Sequence, residues 1–453
     1  MADLNGDAPV PAVVTRFAPA PTGRLHAGNL RVAVLNALFA RAARGRFILR
    51  LDDTDRARCT DEYARAIEDD LAWMGLVPDL VVRQSDRDAL YEAAFERLRA
   101  AGRIYPAYET PEELEIRRKV LLGRGLPPVY ERGALALTDA DRAALEAEGR
   151  RPHWRFRLPD KGALAWDDRV RGPQSFDAAT LSDPVVRRAD GTWLYMLPSV
   201  VDDIDLHLTD VIRGEDHVTN TAVQIAMFEA LGAPPPAFAH VALLVSAEGK
   251  LSKRLGADGL DAVREAGIEP VTLAALLARI GTSDPVVPAA ELDEVAAGLD
   301  LRHFGRAPAR FDPEELEALN ARVLHALPFA AVADRLPAGM DETAWEAIRP
   351  NLDRLDQASE WWAVVTGPIA TPAAATEDRA FLAQAADLLG QQAGADWKAL
   401  TAALGPATGR RGKSLFLPLR RALTGRDHGP DMAALLPLIG RDEAVARLRA
   451  AAG

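Results

Sequence analysis

The sequence predicts an α/β protein: a Rossmann-type parallel sheet, interrupted by an insertion and followed by a mostly α-helical C-terminal region. Three observations carry this. Short apolar runs alternate with helical patterns over residues 13–100, and alternating β and α implies a parallel sheet with crossover helices. The alternation breaks over 102–192, where Gly/Pro turns separate short β-like runs, and resumes beyond 192. From 258 onward helical patterns dominate, punctuated by Pro/Gly turns at 284–288, 305–313 and 367–372.

Residues 1–12, MADLNGDAPVPA, are acidic and Pro/Ala-rich. They lack a basic start and an apolar stretch, and read as a flexible tail rather than a signal peptide. VVTRF at 13–17 is the first strand; Pro19, Pro21 and Gly23 mark a turn; an Ala/Leu/Val-rich helix runs through Phe39. FILRL at 47–51 is the second strand, Asp61 to Gly75 a helix with a glycine stop, LVVR at 80–83 the third strand, and Arg87 to Ala101 an amphipathic helix. These make the first half of the sheet domain, 13–101. The insertion, 102–192, carries HWRFRL (153–158) and DPVVRR (183–188) as β-like runs. The second half, 193–257, holds DVIRG (210–214), a helix from His217 to Leu231, and the strand AHVALLV (239–245), which feeds a KLSKR loop at 250–254. Two helical regions follow, 258–309 and 310–453.

Composition bounds the function. At 453 residues the chain has room for about three domains. It is 48% hydrophobic and 26% charged, an ordinary globular balance. No apolar run approaches the roughly 18 residues of a membrane span, so no membrane partner is expected. Cys59 is the only cysteine; that rules out an intramolecular disulfide and a multi-Cys zinc site, and fits the cytoplasm. The net charge of −12 speaks against nucleic acid only as an average, because binding uses local patches. Residues 405–426 carry Arg410, Arg411, Lys413, Arg420, Arg421 and Arg426 with no acid. A solvated helix end would give the same run. Lysine is scarce: six of 54 basic residues, two of them three apart at Lys250 and Lys253. A site wanting a mobile point charge on a flexible stem would explain that pairing.

The chemistry concentrates in two strings. In RFAPAPTGRLHAGNLR (16–31), His26 and Asn29 fall where a strand gives way to a helix. A helix N-terminus offers free N–H groups and partial positive charge to phosphates, and Gly28 lets backbone approach a ligand. There is no GxxxxGK[ST] and no GxGxxG, so neither a P-loop nor a nicotinamide site is supported. In KLSKR, Lys250 and Lys253 lie on a loop flanked by Gly249 and Gly256, suited to closing over charge that builds on a transferring phosphoryl group. An ordinary helix cap or a solvated turn would produce either string alone. Asp52, Asp53 and Asp55 in LDDTD could form part of a ligand site, a metal cluster or a capped turn.

Together the strings resemble the HIGH and KMSKS signatures of class I aminoacyl-tRNA synthetases. RFAPxPTGxLHxGN, with FILRLDDTDRAR at 47–58, is most similar to the bacterial-type glutamyl-tRNA synthetase family. The resemblance is strongest at 14–100 and 180–256, clear at 405–440, and weak between. It implies an ATP-dependent glutamate–tRNA ligase that forms glutamyl-adenylate and passes the acyl group to the 3′ end of tRNA-Glu, tRNA-Gln or both. By the same resemblance 13–101 and 193–257 are the catalytic domain, 102–192 an inserted acceptor-binding subdomain, 258–309 a stem-contact region and 310–453 an anticodon-binding region.

Site residues follow from the resemblance. His26, Asn29, Lys250, Lys253 and Arg254 would be catalytic. Thr22, Gly28 and Asp216 would join His26, Asn29 and Lys253 around ATP. Arg16, Ala18, Ala20, Asp52, Tyr195, Ser199 and Arg213 would surround glutamate, the two arginine forks matching two carboxylates. Arg410, Arg411, Lys413, Arg420 and Arg421 would meet tRNA. Magnesium would come with ATP. No zinc or other resident metal is expected, and a monomer is. The chain departs from the commonest family pattern at Ala20 (often serine), Asp52 (glutamate), Leu194 (threonine) and Ser199 (asparagine), all near the glutamate pocket. Competing readings are a paralogue that glutamylates a tRNA base, against which the presence of 310–453 weighs; a catalytically altered binding module, against which the intact motifs weigh; and a shorter nucleotidyltransferase type.

Overall fold

The protein is described by a computed structural model covering residues 12–246, 259–370 and 374–453. It divides into two compact units, one mainly Met1–Val263 with Leu273–Val287 and Glu291–Pro313, the other mainly Glu314–Gly453.

In the first unit, β1 (Val14–Phe17), β2 (Arg46–Leu51) and β3 (Leu80–Arg83) form a parallel sheet in that order. Their crossovers are α1 (Ala27–Ala42) and α2 (Asp61–Trp73); α3 (Asp88–Ala100) follows β3. A second sheet carries β9 (Asp210–Gly214) parallel to β10 (Ala237–Val241), joined by α7 (Val218–Ala230). The two sheets meet where the Thr209 amide donates to the Val14 carbonyl, 3.0 Å. β1, β2, β9 and β10 are mostly buried, as central parallel strands are, whereas the edge strand β3 is partly exposed.

The stretch between the halves contributes two structures. β4 (Ile104–Ala107), β5 (His153–Phe156) and β8 (Val185–Arg187) form a separate antiparallel sheet. The hairpin β6 (Ala163–Asp168) and β7 (Gly172–Asp177) instead extends the second parallel sheet, β6 lying beside β10 through Asp168 and Phe238. α6 (Met196–Asp205) then leads into β9.

One expectation needs correction. The strand expected over 239–245 is broken. β10 ends at Val241, and β11 (Leu244–Ser246) pairs with β12 (Ala309–Phe311). The cause is a buried arginine: Arg31 donates to the Ala242 carbonyl at 2.8 Å, while the Leu243 amide turns to the Glu215 carboxylate at 3.2 Å. The helix that starts at Asp61 is capped by Thr60, whose hydroxyl accepts from the Tyr63 amide, while Asp55 accepts the Ala57 and Arg58 amides of the preceding turn.

The second unit is helical. Trp345 is fully buried and donates its indole N–H to Leu327. Arg447, also buried, gathers the carbonyls of Val364, Leu423 and Gly367 at 2.8–2.9 Å. The basic run is less free than its sequence suggests. Arg410 pairs with Asp378 and lies over Phe381, Arg421 forks onto Asp427, Arg426 pairs with Glu360 over Trp361, and Arg420 is half-buried against the Pro430 carbonyl. Arg411 and Lys413 remain exposed, as does Phe416 beside Trp397.

Candidate active site

α1 begins with a side-chain cap. His26 Nδ1 accepts from the amides of Gly28 at 3.1 Å and Asn29 at 3.4 Å. The N–H groups that the sequence offers to a phosphate are thus engaged by the histidine itself. With Nδ1 the acceptor, a neutral ring carries its hydrogen on Nε2, and that donor is the one left for a ligand. The glycine at 28 has a second reason: a Cβ there would lie 3.0 Å from His26 Cε1.

A cavity of about 400 Å³ opens beside this cap. Eight of the nominated residues line it: Arg16, Ala18, His26, Gly28, Asn29, Tyr195, Arg213 and Asp216. Ala20 and Thr22 lie outside it, exposed on the preceding turn, where the Thr22 amide donates to Ala20. Asp52 and Ser199 do not line it either; both meet at Arg50. Lys250, Lys253 and Arg254 fall outside the described residues.

Arg213, at the end of β9 and 5% exposed, is held on three sides. Nε donates to His240 Nε2 at 3.2 Å, Nη2 to Thr221 Oγ1 at 2.6 Å and Gln224 Oε1 at 2.7 Å, and Nη1 to the Tyr195 hydroxyl at 3.0 Å. Every acceptor is neutral, so a buried positive charge stands without a carboxylate in contact. Arg16, at the end of β1 and 4% exposed, is barely paired: its nearest carboxylate is Asp203 at 3.6 Å, and Nε has no acceptor. Burial pulls its pKa down, and the charges of Arg50 and Arg213 act the same way. Two guanidiniums held short of neutralisation make a site for anionic groups.

Arg50 is the contrast. Fully buried in β2, it donates to Asp52 at 2.7 Å and Asp203 at 2.6 Å, with Asp202 at 3.8 Å and Ser199 Oγ at 3.4 Å. Burial pushes the Asp52 carboxyl up to about 6 against the pull of Arg50, which is shared among three carboxylates. Asp53 turns to Ser85 and Asp55 to Arg58, so LDDTD is three separate contacts rather than a metal cluster. Sequence reading missed Arg50, Asp202, Asp203, His217 and His240. A charge inside the apolar run FILRL and the Asp pair in an apolar helix were the available signals. His217 lines the cavity, and burial, together with the Arg213 charge, pulls its pKa down to about 4.

A larger cleft, about 720 Å³, lies among Thr54, Arg56, Glu92, Arg187 and Trp193. Size does not decide between them. Its arginines face Asp55, Asp88, Asp190 and Glu92 in the same lining, whereas the smaller cavity concentrates unneutralised charge beside a helix start.

A nucleotide-type helix start and a doubly cationic pocket at the carboxyl ends of parallel strands define a class I synthetase-like catalytic domain. Residues 12–317 match the catalytic domain of the class I tRNA synthetases (E and Q), and residues 342–452 match an anticodon binding domain. The chain belongs to that synthetase family. Glutamate–tRNA ligase 1 of Rhizorhabdus wittichii is 67% identical over 97% of this chain and 100% of its own. Glutamate–tRNA ligase 1 of Novosphingobium aromaticivorans is 62% identical over 97% and 100%. A crystal structure of a glutamate tRNA ligase from Elizabethkingia meningosepticum in complex with its amino acid superimposes with a TM-score of 0.79 at 27% identity, covering 97% of this chain and 99% of that one. No described helix is long and apolar enough to cross a membrane.

Proposed function

We propose that this chain is a glutamate–tRNA ligase. It activates L-glutamate with ATP and transfers it to the 3′ end of tRNA-Glu. The observation that carries the reading is the pair of buried, incompletely neutralised guanidiniums, Arg16 and Arg213, in one cavity with His26. Glutamate brings two carboxylates to that cavity. Its α-carboxylate attacks the α-phosphorus of ATP, forming the acyl–phosphate bond as pyrophosphate leaves. The terminal ribose hydroxyl of tRNA then attacks the acyl carbon and AMP leaves.

Arg16 and Arg213 bind and orient the carboxylates. Asp52, half-buried just past β2, has both oxygens on Arg50 and is not part of the cavity lining; it would answer the ammonium by turning from Arg50. His26 Nε2–H and the Asn29 side chain face the nucleotide phosphates from the start of α1. Lys250, Lys253 and Arg254 would close over the pyrophosphate. Magnesium would arrive on the nucleotide's phosphates, where it keeps much of its water; among the described residues no group of three His, Cys, Asp or Glu forms a cage for it. Arg411, Lys413 and Phe416 supply the exposed charge and stacking surface for unpaired anticodon-arm nucleotides. The matched anticodon binding domain favours this reading over a base-glutamylating paralogue. Aminoacylation of separate tRNA-Glu and tRNA-Gln transcripts, each with glutamate and glutamine, tests it. Glutamate on tRNA-Glu is the expected product; glutamine transfer, or no transfer, overturns the assignment. Charging of tRNA-Gln as well would widen the acceptor range.

A further inference from the structure

We propose that Asp168 and His240 are positioning residues that fix the Arg213 guanidinium and so set the pocket's preference for a side-chain carboxylate over a carboxamide. The proposal rests on reading Arg213 as the ligand of glutamate's side-chain carboxylate. His240 lies in β10 and Asp168 at the end of β6; both side chains are fully buried. His240 Nδ1 is 2.5 Å from Asp168 Oδ2. Asp168 Oδ1 accepts the amides of Val170, Arg171 and His240 at 2.9–3.1 Å, so the carboxylate cannot turn away. An ionised carboxylate only accepts. The imidazole hydrogen therefore sits on Nδ1, and Nε2 presents its lone pair to the Thr221 hydroxyl at 2.8 Å and Arg213 Nε–H at 3.2 Å.

The arrangement counts out the guanidinium's donors. Of its five N–H bonds, one goes to His240, two on Nη2 to Thr221 and Gln224, and one on Nη1 to Tyr195. One Nη1 hydrogen is left for the cavity. In the other tautomer, His240 Nε2–H would turn to Thr221 Oγ1 and Arg213 Nε–H would be left without its acceptor. A carboxylate placed directly on Arg213 would hold it as well, but would neutralise it. Keeping Asp168 one imidazole away orients the cation and leaves its charge to the substrate. A carboxamide oxygen can accept the free N–H but cannot neutralise the buried charge. Burial together with the Arg213 charge keeps His240 neutral, and the donors around Asp168 outweigh its burial and hold it ionised, at about 2.

The test uses the full chain with tRNA and four variants: Asp168→Asn, His240→Leu, His240→Gln, and Arg213→Met as reference. Asp168→Asn and His240→Leu should raise the glutamate KM roughly 10- to 100-fold, the scale of one hydrogen bond to a charged group. KM for ATP should stay within about twofold, kcat should change little, and the glutamate-to-glutamine ratio of kcat/KM should fall in parallel. His240→Gln, whose amide oxygen can accept from Arg213 Nε, should recover most of the loss. Independently of any variant, nitrogen-15 NMR of the parent enzyme should show His240 protonated on Nδ1 and bare on Nε2. A proton on Nε2 overturns the proposal. So does an unchanged glutamate KM in Asp168→Asn and His240→Leu while Arg213→Met raises it. An unchanged KM in Arg213→Met sinks the pocket reading itself, and this inference with it.

Discussion

Replacing Arg16 by methionine should leave the empty enzyme at least as stable as the parent while stripping its affinity for glutamate. The two halves have one cause. Arg16 is 4% exposed, its Nε has no acceptor, and its nearest carboxylate, Asp203, sits 3.6 Å away while bonding Arg50 at 2.6 Å. A buried donor left unpaired costs about 1–3 kcal/mol, and neighbouring Arg50 and Arg213 add repulsion. Methionine keeps the apolar stem and removes the charge, and Asp203 keeps Arg50. For a domain of 150–250 residues each kcal/mol moves the melting temperature by about 2–4 °C, so the ligand-free variant should melt at the parent temperature or a few degrees above. With glutamate bound, the lost partner leaves a buried carboxylate unpaired, at about 3–5 kcal/mol. At 1.36 kcal/mol per tenfold, KM for glutamate should rise by about 10²- to 10⁴-fold. Thermal unfolding without ligand and aminoacylation against glutamate concentration read the two halves separately. A melting point several degrees below the parent refutes the claim that the empty site holds Arg16 at a cost. An unchanged KM refutes its assignment to a ligand carboxylate.

Asp52 can hold an ammonium only when ionised. With its carboxyl pushed up to about 6, the ionised fraction falls as pH drops below that value. Glutamate KM should therefore climb toward tenfold per unit below about pH 6, and Asp52→Asn should show a high, flat KM; a parent profile flat from pH 7 to 5 would contradict this. Gly28→Ala puts a Cβ 3.0 Å from the His26 ring and should displace the cap, costing about 0.5–2 kcal/mol of stability and slowing adenylate formation; parent-like melting and rate would show the cap to be dispensable. Lys253→Ala should slow adenylate formation by about 10²-fold or more with ATP affinity less affected, and a parent rate would remove Lys253 from the transition state. Joint replacement of Arg411 and Lys413 by alanine should raise KM for tRNA and flatten its salt dependence by about two phosphate contacts, whereas Arg421→Ala, already paired with Asp427, should change it less; equal effects would mean that the paired arginines also reach the RNA.

What the sequence makes legible follows from which interactions are local. Strand–turn–helix units are written in consecutive residues, so β1, β2, β3 and β9 stand where their apolar runs and turn residues put them. His26 and Arg213 are legible for the same reason: His26 caps the helix that its motif opens, and Arg213 sits at the end of its strand. The supporting shell is not local. Arg50 reaches Asp203 across 153 positions and His240 reaches Asp168 across 72, and no spacing rule connects such residues. The break at Ala242 is set by Arg31, 211 positions away, so the apolar run AHVALLV looks like one strand until that donor is placed. The basic run misleads in the opposite direction. Its arginines are close in sequence, but the acids of Arg410 and Arg426, Asp378 and Glu360, lie on other helices and that of Arg421, Asp427, just past the run, so a count of local charge overstates what remains for RNA. A charge pattern along a chain gives the sign of a surface; only the fold says which charges are already spent. At the glutamate site the same logic runs in reverse: Arg16 and Arg213 are buried cavity arginines that the fold leaves short of neutralisation, and that is the property a dicarboxylate substrate requires.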